Sequence, residues 1–106
     1  MRIPKDAVIA PAKITEYLLV QRRKNDKSQF LAQVGFTRDD PESLTAAIRN
    51  LIAEHEGVFD RRNEYGTFYQ VEGNLHGPDG SLRVITVWIQ RQVDDVFWFV
   101  TLKPVR

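Results

Sequence analysis

The sequence predicts an α+β protein: about three N-terminal helices packed on one face of a C-terminal antiparallel sheet of three to four strands. Two observations carry this expectation. From Tyr65 to Pro104, three apolar runs alternate with two turn signals, Gly77-Pro78-Asp79-Gly80 and Asp94-Asp95. Such runs with period-two alternation mark antiparallel strands. Upstream, Leu44, Ala47, Ile48, Leu51 and Ile52 recur at the spacing of one helix face, which marks an amphipathic helix.

Taken in order, residues 1–10 are mixed, with Ile3, Val8 and Ile9 apolar, and suit a brief edge strand or extended arm. Pro11 fits the first helical position, where its missing N–H costs nothing. Ile14, Tyr17, Leu18 and Gln21 follow helical spacing, giving a first helix near 11–21. Lys13 lies beside that stripe, where a cation is mildly unfavourable against the helix dipole. This hints at another task for Lys13. Arg22 to Asp26 is a charged connector, and Asp26 is placed to cap a short second helix over 27–34, with Phe30, Leu31 and Val34 inward. Gly35 stands where a helix end needs a left-handed residue. Asp40-Pro41-Glu42 is a start signal of capping acid, proline and first-turn acid, so the third helix runs over about 41–56 and ends at Gly57.

Val58 to Glu64 reads as a solvated loop. Neither half can bury its apolar face without the other, so a single domain over 1–106 is expected. The first strand covers about 65–75. The Gly-Pro-Asp-Gly turn leads to a second over 81–91, and a third covers 96–103. Alternation puts Arg83, Ile85, Val87 and Ile89 on one face of the second strand, and Leu82, Val84, Thr86 and Trp88 on the other. In the third it groups Val96, Trp98, Val100 and Leu102 against Phe97, Phe99, Thr101 and Lys103. The aliphatic faces most simply lie under the helices. The open face then collects Thr67, Tyr69, Thr86, Trp88, Thr101 and Lys103. The reverse assignment, with Phe97 and Phe99 in the core, is the alternative.

At 106 residues the chain can bury one core. A charged fraction of 27% and a formal net charge of +1 are ordinary, and too mild to argue nucleic-acid binding alone. Cysteine is absent, so disulfides and thiol nucleophiles are excluded. The two histidines, His55 and His76, are not spaced as a helical metal pair, so neither metal nor cofactor is expected. No secretory signal or membrane span is legible, which makes a cytoplasmic protein the expectation. Hydroxyls, aromatics and cations on one sheet face suit RNA, because bases stack on rings and phosphates meet lysine. Tyr69, Thr86, Trp88 and Lys103 are the RNA-binding candidates. His76, beside the turn, is the histidine available for neutral-pH proton transfer.

Two residue patterns extend this reading. They are Pro4, Lys13-Ile14, Tyr17-Leu18-Leu19, Lys27-Ser28-Gln29-Phe30 and Val34-Gly35-Phe36, then Tyr65-Gly66, Tyr69, Gly73, Gly77-Pro78, Gly80, Trp88, Val100-Thr101 and Pro104. Together they resemble an uncharacterised family of short bacterial proteins found beside small antitoxins and as terminal modules of polymorphic toxins. The order of elements resembles the barnase, EndoU, colicin E5/D and RelE-like group of small ribonucleases. The resemblance implies a metal-independent endoribonuclease toxin. Its site would draw on Lys13, Lys27, Arg83 and Thr101, with Tyr69 or His76 as proton carrier. The partners would be RNA and a cognate antitoxin or immunity protein. A non-catalytic interaction module using the same sheet face, and an RNA-binding module without chemistry, are the alternatives.

Overall fold

The computed structural model describes residues 1–20 and 27–105. Helix α1 (Pro11–Lys13) opens on its proline and runs directly into a π-helical turn, Ile14–Leu18. Helix α2 spans Ser28–Ala32 and α3 spans Pro41–Glu54. Four strands follow: β1 (Val58–Asn63), β2 (Gly66–Gly77), β3 (Gly80–Arg91) and β4 (Phe97–Pro104). They form one antiparallel sheet in the order β1-β2-β3-β4. The α+β expectation is met, with helices N-terminal and strands C-terminal.

Local chemistry explains the boundaries. Asp40 caps α3, accepting from Ser43 N and from the Ser43 hydroxyl at 2.9 Å. Leu44, Ala47, Ile48, Leu51 and Ile52 are its buried stripe, as the spacing predicts. Gly35 takes φ 94° just beyond α2, where the chain must turn back. The Pro78-Asp79 turn joins β2 to β3, and its Asp79 N–H donates to Val34 O at 3.0 Å. The predicted capping residue of α2, Asp26, lies outside the described residues, as do Arg22, Arg23, Lys24 and the last residue of the expected first helix, Gln21.

Two expectations are corrected. The segment read as a loop from Val58 is the edge strand β1. All six of its residues are exposed, so it carries no alternation to announce itself. It is held by pairing with β2 and by Asn63, whose side chain accepts from the N–H groups of Tyr65 and Gly66. The sheet faces are also reversed. Val84, Thr86 and Trp88 of β3 point into the core beneath the helices, with Thr86 and Trp88 both 0% exposed. Trp88 Nε1 donates to Thr86 Oγ1 at 2.8 Å, and Thr86 Oγ1 donates to Val71 O at 3.0 Å. With every donor satisfied, a threonine and an indole are buried at little cost.

A β-bulge redistributes β4. Trp88 pairs with Phe99 and Val87 with Thr101, leaving Val100 as the extra residue. An extra residue inverts the alternation beyond it. Phe97, Phe99 and Leu102 therefore all face the core, although strict alternation separates Leu102 from the phenylalanines. Thr101 and Lys103 fall instead beside Val87 and Ile85 of the uncovered face. One core cluster results, running from Ile3 and Ala7 of the N-terminal arm through the helices to Leu102. The arm is tied to the sheet by a parallel bridge, Val8 to Trp98. Arg49 of α3 donates to the carbonyls of Lys5 and Ala7 at 3.1 and 2.9 Å.

Candidate functional site

The π-helical turn sets the geometry of the candidate site. Leu19 N–H donates to Ile14 O, five residues back, at 3.0 Å. A turn wound this widely lets Ile14, Leu18 and Leu19 all reach the core. Such insertions are rare and concentrate at functional sites. Here the turn carries Tyr17, half-buried beside β4.

Lys27, just before α2, reaches across to the same place. Its Nζ donates to Thr101 Oγ1 at 2.9 Å and to the Tyr17 hydroxyl at 3.3 Å. The Tyr17 hydroxyl lies 3.4 Å from Thr101 Oγ1, which closes a triangle of polar atoms. Lys13 Nζ stands 5.5 Å from the centre of the Tyr17 ring, and Lys27 Nζ 5.4 Å from it. Two ammonium groups thus converge on one phenol and one aliphatic hydroxyl. The Thr101 hydrogen bond does most to hold the Tyr17 phenol below its ordinary range. Partial burial opposes this, while the Lys27 bond and the charges of Lys27 and Lys13 add to it.

The sequence-derived candidates divide cleanly. Lys13, Lys27 and Thr101 come together. Arg83 does not: it sits four residues from Val87 along β3 and is ion-paired to Glu72 at 3.1 Å. His76 pairs with Ser81 beside the β2–β3 turn. Val87, the partner of Thr101, is six residues from Ser81, about 20 Å along the strand. His76 is therefore not a proton carrier for this cluster. Of the RNA-binding candidates, Thr86 and Trp88 are core residues, and no strand can present them to a polymer. Tyr69 packs against the core with its ring 5.8 Å from Phe97 and 6.5 Å from Phe59. Lys103 alone is exposed, two residues beyond Thr101 on the same strand. The residue that sequence reasoning missed is Tyr17. Its signal was present: it lies four residues after Lys13, a spacing at which helix side chains meet.

The uncovered sheet face has a different character from the one expected. Phe68, Ile85, Val87, Ile89 and Trp98 occupy it, between arginines. The Arg61 guanidinium lies 4.4 Å from the Phe68 ring centre, and that of Arg91 4.9 Å from Trp98. Arg91 is also ion-paired to Asp94. Trp98 Nε1 is buried without a hydrogen-bond partner among the described residues. No helix among the described residues is long and apolar enough to cross a membrane.

Fold and site together define an α+β protein with a four-stranded meander, helices on one face, and a lysine–tyrosine–threonine cluster beside β4. A family model described as "Domain of unknown function (DUF6883)" matches residues 4–106, and the chain belongs to that family. No curated protein and no solved structure matches it.

Proposed function

We propose that the protein is an endoribonuclease that acts as a toxin in the bacterial cytoplasm, cutting RNA at the cluster beside β4. The observation that carries this reading is the convergence of Lys13 and Lys27 on Thr101 and Tyr17. Breaking a phosphodiester gathers negative charge on the phosphate oxygens, and preorganised ammonium and hydroxyl donors stabilise that charge. Lys27 and Thr101 supply such donors from two different elements, so the folded protein holds them before substrate arrives. Lys103 extends the cationic side of β4 toward the neighbouring stretch of strand.

The test is direct. Purified protein is incubated with labelled RNA, with and without a chelator, beside a Lys27→Ala variant. Cleavage that survives chelation and falls at least about 100-fold in the variant is expected. Expression in a bacterium without a protective neighbouring gene should arrest growth. Harmless expression together with intact RNA defeats the reading.

The uncovered face favours a second reading, a protein-interaction module of the immunity or antitoxin kind. Its aromatic and arginine composition is that of interface hot spots. The anchor is then Trp98, which is half-buried, since Phe68, Trp88, Phe97 and Phe99 are all buried. A stable complex, lost on Trp98→Ala, with no nuclease activity in the free protein, favours this reading over the first. An RNA-binding module without chemistry predicts instead salt-dependent binding that weakens in Lys27→Ala and no cleavage.

A further inference from the structure

The ribonuclease reading requires a group to take a proton from the attacking ribose hydroxyl. Neither Tyr69 nor His76 stands at the cluster. We propose that Tyr17 is this group: as phenolate, its oxygen accepts the proton of the ribose 2′-hydroxyl. The inference rests on the ribonuclease reading and adds the residue that performs the first proton transfer.

The geometry supports it in three ways. The Tyr17 hydroxyl is 3.3 Å from Lys27 Nζ and 3.4 Å from Thr101 Oγ1, so a phosphate held by those two groups brings its own ribose to the phenol oxygen. The cations of Lys13 and Lys27 both stand near the ring, where they favour the phenolate. The π-helical turn fixes Tyr17 by burying Ile14 and Leu18 on either side of it in sequence. The lowered pKa of the phenol agrees with these contacts.

The step balances as follows. Tyr17 phenolate takes the 2′-hydroxyl proton, and O2′ forms a bond to phosphorus. The bond from phosphorus to O5′ breaks, and O5′ takes a proton from the Lys27 ammonium. The products are a 2′,3′-cyclic phosphate and a free 5′-hydroxyl. Tyr17 is left neutral and Lys27 uncharged, hydrogen-bonded to each other. Return of the proton from phenol to amine restores both, so the pair resets without another group.

Single-turnover cleavage of a short RNA by the whole protein tests the assignment. Affinity is read separately with the same oligonucleotide made uncleavable by 2′-deoxy substitution. Tyr17→Phe should leave that affinity within about threefold while lowering the cleavage rate about 100-fold or more, the usual size of a lost proton acceptor. The rise of rate with pH through the Tyr17 ionisation should disappear in this variant. A fluorotyrosine placed at position 17, whose phenol is more acidic, should move that rise to lower pH. The products should carry a cyclic phosphate by mass. Cleavage by Tyr17→Phe at the native rate with the native pH profile overturns the Tyr17 assignment alone. So does equal loss of affinity and rate, or a fluorotyrosine protein whose profile does not move. Intact RNA with the native protein overturns the ribonuclease reading and the assignment with it.

Discussion

At Tyr17 the neighbouring Thr101, Lys27 and Lys13 hold a phenol below its ordinary range. Its ionisation should be visible without any substrate. The difference in near-ultraviolet absorbance between native protein and Tyr17→Phe isolates the Tyr17 step during titration. That step should fall below about pH 10, the value of an unperturbed phenol. Thr101→Val removes the contact that lowers it most and should move it back up. A phenol whose folded pKa is depressed stabilises the fold above the unfolded pKa, and this contribution fades as pH falls through the folded value. Through its ionisation Tyr17 therefore adds nothing to stability at pH values well below its folded pKa. An unshifted absorbance step would show that the lysines and Thr101 do not hold the phenol in solution. Thr86 makes the opposite point, since its hydroxyl serves only the interior. Thr86→Val keeps the shape but leaves Trp88 Nε1 without its acceptor. Urea unfolding should show a loss of about 1–3 kcal/mol, the cost of an unsatisfied buried donor.

Elements differ in how openly the sequence declares them. Helix α3 was legible throughout, because a capping acid, a proline and five apolar residues at helical spacing agree. The end of α2 was legible from Gly35. At φ 94° an added side chain is strained, and a Cβ there would stand 2.9 Å from Asp79 Oδ2 in the adjoining turn. Gly35→Ala should cost about 1–2 kcal/mol from the backbone alone, read as a lowered urea midpoint with an unchanged slope. Strand β1 was not legible, since Val-Phe-Asp-Arg-Arg-Asn has no buried face to impose a period. The bulge at Val100 was not legible either, because nothing in its residue type marks it. That hidden residue moved Leu102 inward and turned Thr101 and Lys103 toward the other face. The candidate site inherited both outcomes. Lys13, Lys27 and Thr101 were found as chemistry-bearing types, while Thr86 and Trp88 were misplaced because a hydrogen-bonded threonine–indole pair looks polar in sequence and behaves as core.

At the scale of the whole molecule, the cluster depends on the packing of the helical half against the sheet. Lys13, Tyr17 and Lys27 come from the helical half and Thr101 from β4, so no half of the chain contains the site. The core has the same construction. Ile3, Ile14, Leu31 and Leu51 share one buried cluster with Val71, Trp88 and Leu102. Separating helices from sheet would expose the apolar faces of both at once, at roughly 25 cal/mol for each Å². The two halves should therefore unfold together. Far-ultraviolet ellipticity reports helices and strands, tryptophan fluorescence reports the sheet, and Tyr17 absorbance reports the cluster between them. In urea all three should trace one transition with a common midpoint, as two-state unfolding requires. If fluorescence persists after the Tyr17 signal has relaxed to that of a free phenol, the helical half has left an intact sheet. The site would then belong to a separable, low-stability layer and not to the fold as a whole. A shared midpoint ties the cluster to the global fold, and Trp88→Ala, which empties a fully buried core position, should then shift the Tyr17 transition as much as the fluorescence one. That shift should correspond to about 3–5 kcal/mol, the usual cost of emptying a buried tryptophan site.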